Sequence, residues 1–110
     1  MPLRDEIAEL LRMPEDGAGA PSLDAIETTL TDGYAEALAL DAERSRIERR
    51  LGEVVKDAGE VSAHSVAAEL AELSVRLEAT DEELTRLRTL LHNLQVVRRR
   101  RRAESSSSRR

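Results

Sequence analysis

Seven arginines lie in the last thirteen residues, and five of them are adjacent: Arg98, Arg99, Arg100, Arg101 and Arg102. A basic tract of this length binds polyphosphate backbones or anionic lipid through charge alone. No aromatic residue interleaves with these arginines, so base stacking is unavailable and any nucleic-acid contact through them is expected to be non-specific. The competing expectation is a solubilising helix end that pairs with acidic surface of the same protein. Residues 1–97 hold 21 acids and 10 bases, a balance of −11, whereas residues 98–110 hold one acid, Glu104, and seven Arg, a balance of +6. The two add to the net −5 of the whole chain. The body repels polyanions, and the tail attracts them or the acidic body of a neighbouring molecule.

Other residues with chemical potential are sparse. His64 and His92 are the only histidines and lie 28 positions apart. A metal site needs three or four convergent ligands, and two helices in a hairpin keep these rings apart, so both are read as solvated helix-surface histidines. The acidic runs Asp81-Glu82-Glu83, Asp5-Glu6 and Glu15-Asp16 are read as solvated faces. A catalytic carboxylate pair needs a concave, partly dry site. The serines fall at helix caps and in the tail, and Gly17 and Gly19 follow no strand, so neither a nucleophilic triad nor a phosphate loop is expected. The chain has no Cys, which removes disulfides and thiolate metal sites. These readings point to no enzyme, no cofactor and no small-molecule substrate.

The elements that position these residues follow from the aliphatic pattern. Val66, Leu70, Leu73, Leu77, Leu84, Leu87, Leu91 and Leu94 alternate steps of four and three, with Thr80 in the one missing slot. A heptad repeat sustained over about four heptads predicts a coiled coil. An ideal helix drifts off such a seam, so the seam implies left-handed supercoiling around another helix. An earlier apolar face runs through Leu23, Ile26, Leu30, Tyr34, Ala37, Leu38, Leu40, Ile47, Leu51, Val54 and Val55, covering nearly half the circumference. Gly33 and Arg44 break it. Gly33 costs about 1 kcal/mol relative to Ala inside a helix and marks either a kink or a close approach by a neighbouring helix. Arg44 can lay its stem on apolar surface and keep its head wet.

Local signals set the boundaries. Residues 1–12 read as a short amphipathic helix with Leu3, Ile7, Leu10 and Leu11 on one face. It is too short to persist alone in water. Residues 13–21 read as a flexible linker with two Pro and two Gly. Ser22 caps the next helix, Gly59 ends it as a C′ residue, and Ser62 or Ser65 caps the last one. A tip at about 58–62 forces the two helices to be antiparallel neighbours. Glu72–Arg76 and Glu82–Arg86 stand four apart in the favourable orientation. Residues 22–102 therefore make the helical hairpin, and 103–110, AESSSSRR, are expected to be a disordered tail.

A hairpin tipped by Asp57 and Glu60 resembles, in outline, the transcript-cleavage factors that insert a coiled-coil hairpin into RNA polymerase. The likeness covers architecture and two acids. Their second globular domain has no counterpart in these 110 residues, which leaves a plain turn as the expectation here. The segment Thr31–Leu38, TDGYAEAL, stands out in composition but suggests no chemistry by itself.

The expected fold is thus all-α: an antiparallel two-helix coiled-coil hairpin preceded by a short amphipathic helix, dimerising into a four-helix assembly. With a single aromatic, Tyr34, one hairpin has little with which to close its own core. The seam and interface positions are Leu30, Leu40, Ile47, Leu51, Leu70, Leu73, Leu77, Leu84, Leu87, Leu91 and Leu94. The expected function is a non-catalytic scaffold or adaptor acting through self-association and an unidentified protein partner. The alternative is an accessory factor whose Arg cluster contacts nucleic acid or anionic membrane. No apolar run approaches the roughly 18 residues of a membrane span, and the first twelve residues lack the apolar core of a signal peptide. A cytoplasmic protein is expected. Sixteen Arg against one Lys, with abundant Ala, fit a GC-rich bacterial genome.

Overall fold

The computed structural model describes residues 3–14, 17, 19–60 and 62–108, with side-chain surroundings at 3–14, 17, 19–59 and 62–104. The expectations placed on Glu15, Asp16 and the Glu60 side chain lie outside the described residues. The chain is all-helical: α1 spans Leu3–Arg12, α2 Leu23–Lys56 and α3 Ala63–Ser108, with a 3-10 turn at Ala58–Glu60. There is no strand among the described residues. No helix there is long and apolar enough to cross a membrane.

The starts of the long helices are set by serine. Ser22 Oγ accepts from the backbone N–H of Ala25 at 3.1 Å, while its carbonyl takes the N–H of Ile26. Ser62 does the same for α3, with Oγ accepting from the Ser65 N–H at 3.3 Å. Each serine satisfies a donor that the first turn leaves without a helical partner. The end of α2 differs from expectation. The helix closes at Lys56, three residues before Gly59, and Gly59 sits in the 3-10 turn without left-handed backbone. A 3-10 turn satisfies the last carbonyls by tightening the chain, which removes the need for a glycine cap.

The end of α3 also differs. α3 runs unbroken through Arg98–Arg102 to Ser108, where composition predicts a disordered tail from residue 103. Extending an existing helix fixes one residue per added hydrogen bond, and only nucleation is costly. Arg and Ala are good helix formers, so the ladder continues past the last leucine.

Two compact units make up the chain. The first comprises Met1–Ala37 and Arg86–Arg110, and the second Leu38–Thr85.

In the second unit Ile47, Val54 and Leu73 are buried, and Leu51, Val66, Leu70 and Leu77 pack half-buried against them. Leu84 is buried and Leu40 half-buried. Arg44, the break in the α2 seam, meets α3 at the gap in its leucine repeat. Its Nε lies 2.9 Å from Asp81 Oδ1 and 3.0 Å from Glu48 Oε1. The angles miss hydrogen-bond geometry at this buried nitrogen, so the attraction there is coulombic. Polar seam positions cost stability and specify register. Arg50 donates to Glu69 through Nη2 at 2.6 Å and Nε at 2.9 Å, and Arg76 reaches Glu43 at 3.0 Å rather than holding only to its own helix. The hydrogen bonds from Arg46, and then Arg76, hold the Glu43 carboxyl below its ordinary pKa. Those to Glu69, and then Glu53, push Arg50 up. All six side chains keep substantial access to water, and such pairs contribute little individually. Leu38, Val55 and Val75 are left exposed at 72%, 62% and 67%. The α2 apolar face is therefore narrower than the sequence pattern implies.

In the first unit Ile7, Ile26, Leu30, Leu87, Leu91 and Leu94 are buried. Here α1 is docked beside α2, with Ile7 near Gly33, and Gly33 itself admits Leu91 of α3. A Cβ at position 33 would overlap Leu91 Cδ2, and would lie 3.4 Å from Leu91 Cγ and 3.6 Å from Ile7 Cδ1. Of the two readings open for Gly33, the structure shows the close approach. Removing residues 1–20 should leave most of the helical circular-dichroism signal, because α2 and α3 keep their own caps. It should lower Tm by about 10 °C, since burying an Ile is worth about 2 kcal/mol and each kcal/mol moves a small domain by roughly 5 °C. Collapse of the helical signal would show instead that α1 is essential to the core.

Candidate interaction groove

The polar residues with distinctive surroundings collect in the first unit, along α2 residues 27–37 and α3 residues 88–102. Their placement follows from the seam. Leu87, Leu91 and Leu94 face inward, so the residues one position later, Arg88, His92 and Gln95, share a flanking stripe that continues to Arg99 and Arg102. On α2 the matching positions are Glu27, Thr31 and Tyr34. The Thr31–Leu38 segment, without meaning in sequence, thus supplies one wall of this site.

A chain of polar contacts joins the walls. Gln95 Nε2 donates to the Tyr34 hydroxyl at 3.0 Å. Gln95 Oε1 accepts a long bond from Arg98 at 3.4 Å. Arg98 stands 3.7 Å from Glu27, and Arg102 donates to the same carboxylate at 3.0 Å. Arg101 donates to the carbonyl of Pro21 at 2.5 Å, closing the first turn of α2 against α3. Thr31 is satisfied locally, its hydroxyl donating to the Glu27 carbonyl at 3.0 Å.

Tyr34 and Gln95 form a common wall between two shallow recesses. One, of about 190 Å³, is lined by Glu27, Leu30, Thr31, Tyr34, Gln95 and Arg98 and contains its own counter-charge. The other, of about 310 Å³, is lined by Tyr34, Ala37, Arg88, Leu91, His92, Gln95 and Arg99. No carboxylate lines that second recess. Its floor is apolar, its rim is basic, and Tyr34 stands beside it 44% exposed. Such a surface accepts an anionic group attached to something apolar.

The five-arginine run is thus divided. Arg98, Arg101 and Arg102 make contacts within the unit to Glu27 and Pro21, and Arg99 faces the basic recess. His64 lies exposed in the first turn of α3, while His92 lies on the groove. Among the described residues no group of three or more His, Asp or Glu is placed to hold a metal. Tyr34, Gln95, Arg88 and His92 were not singled out by sequence as a set. The signal was present as the 88, 92, 95, 99, 102 spacing, but Tyr34 joins it only once the helix register is known. Neither family models, nor curated proteins, nor solved structures give a match to this chain.

Proposed function

We propose that this chain is a non-catalytic coiled-coil interaction protein that acts as a homodimer and binds partner helices. In this reading α2 and α3 form an antiparallel hairpin. Support comes from the order of the cross-helix pairs, Glu43 with Arg76 and Arg50 with Glu69, whose numbers rise on α2 as they fall on α3. Tyr34 with Gln95 and Glu27 with Arg102 follow the same order in the first unit.

The observation that carries the function is the apolar surface the chain leaves uncovered. Leu38, Val55 and Val75 are exposed, and the seam leucines Leu40, Leu51, Leu70 and Leu77 are covered only in part. Partly covered seam leucines are the sequence's own coiled-coil positions, so another helix pair is the surface that completes them. Light scattering at micromolar concentration should give at least twice the 12.2 kDa chain mass. A monomer with a cooperative melt would overturn the reading.

Polyanion binding through Arg98–Arg102 has less support, since Glu27 and the Pro21 carbonyl already occupy three of the five guanidinium groups. Those contacts also change what the run's removal should do. Replacing the five arginines with Ser should lower Tm by a few degrees, because contacts holding α2 to α3 are lost along with the charge. A gel shift and vesicle sedimentation at about 50 mM salt, where exposed charges are only partly screened, should both be negative. Binding that disappears in the Ser variant would move the alternative ahead.

A further inference from the structure

The first unit carries two surfaces of opposite character. The basic recess presents His92, Arg88 and Arg99 around an apolar floor of Ala37 and Leu91, with Tyr34 half-exposed beside it. The second surface is a shallow depression of about 450 Å³ lined by Glu6, Glu9, Leu10 and Thr29. It is acidic where the first is basic, and Leu10 gives it an apolar centre. Asp5, next to it on α1, is exposed as well. The long bond from Arg12 to Glu9, at 3.5 Å, compensates little of this charge.

We propose that the basic groove of one copy receives the acidic edge of α1 from a second copy, with Glu6 and Glu9 facing His92 and Arg99 and with Leu10 against Tyr34. This rests on the self-association reading above and adds to the aliphatic surface a second, polar contact. Three features select a second copy over other occupants. The two surfaces match in sign, and each combines charge with an apolar centre, the composition of a protein interface more than of a phosphate site. Both are present on every copy, so a two-fold arrangement can use each pair twice. The body carries −11 over residues 1–97, which opposes a long polyanion but not a local acidic edge that arrives with its own basic groove.

The contact is electrostatic at its rim, so it steers association and responds to salt. Placing acids on the groove and bases on the α1 edge tests it directly. His92→Glu/Arg99→Glu and Glu6→Arg/Glu9→Arg change exposed side chains only. Each pair should weaken the dimer by about tenfold in sedimentation-equilibrium Kd, and 0.5 M NaCl should weaken the wild type in the same direction. The quadruple variant, with an acidic groove and a basic α1 edge, should recover to within about threefold of wild type. Circular-dichroism melts accompany each sample. If a reversed variant does not fold, His92→Gln/Arg99→Gln replaces it, with a smaller loss expected.

A wild type that is monomeric throughout would overturn this inference and the self-association reading together. A wild-type dimer indifferent to both substitutions would overturn the inference alone and leave the exposed aliphatic surface as the interface. Two weakened reversals with no recovery in the quadruple variant would show that the surfaces do not meet each other.

Discussion

Leu87→Asp should abolish the cooperative thermal melt. Leu87 is fully buried in the first unit, and Asp there must either carry a charge out of water or take a proton. Burying an unpaired polar group costs several kcal/mol, and losing a core leucine costs a further 2–5 kcal/mol or so. A small domain holds roughly 5–15 kcal/mol in all, and one without aromatic residues in its buried set belongs near the lower end. Leu77→Asp is the comparison that gives the result meaning. Leu77 is only half-buried in the second unit, so its carboxylate can reach water. At dilutions where no second copy covers it, the melt should survive with Tm lowered by about 10 °C, an expectation of roughly 2 kcal/mol. Circular dichroism from 5 to 95 °C separates the cases. An unchanged melt for Leu87→Asp would show the seam assignment to be wrong. If Leu77→Asp is as damaging as Leu87→Asp, Leu77 is covered by a second copy.

Gly33→Leu is the second large effect. Even a single Cβ at this position overlaps Leu91 Cδ2 and comes within 3.6 Å of Ile7, so a full leucine displaces both. Overpacking costs about 1–3 kcal/mol, and undocking Ile7 adds about 2 kcal/mol. The combined loss of about 4 kcal/mol should lower Tm by roughly 20 °C and expose the start of the chain to protease. Gly33→Ala refines the test because two effects oppose each other. Helix propensity alone favours Ala by about 1 kcal/mol, but the methyl needs Leu91, itself buried, to move. The wild-type background should therefore show no gain, whereas in a Leu91→Ala background the same change should stabilise by about 1 kcal/mol in urea titration. A stabilised Gly33→Ala single variant would exclude the close approach.

Much of the helical layout was legible because its causes are local. A serine hydroxyl that reaches an N–H three residues on needs nothing beyond the first turn, and Ser22 and Ser62 act in that way. The leucine repeat of α3 was legible for a similar reason, since periodicity alone places those residues on one face. The α2 apolar face is narrower than its aliphatic residues suggest. The inward positions form one strict alternation, 23, 26, 30, 33, 37, 40, 44, 47, 51 and 54, which takes in Gly33 and Arg44 and leaves out Tyr34, Leu38 and Val55. With Gly33 and Arg44 counted as interruptions, that alternation is hidden.

The partners of those two residues come only from the tertiary structure. Leu91 fills the space over Gly33 from 58 positions away, and Asp81 meets Arg44 where the α3 leucine repeat lapses. Each apparent fault in one helix is answered by a residue on the other. The same holds for Arg102, which finds Glu27, and for Tyr34, the lone aromatic, which finds Gln95. The sequence by itself determines where helices begin and which stripe of each is apolar, because capping and periodicity act within a few residues. Which residues meet across the helices depends on register, and register is decided by packing and charge between segments that only the folded chain brings together.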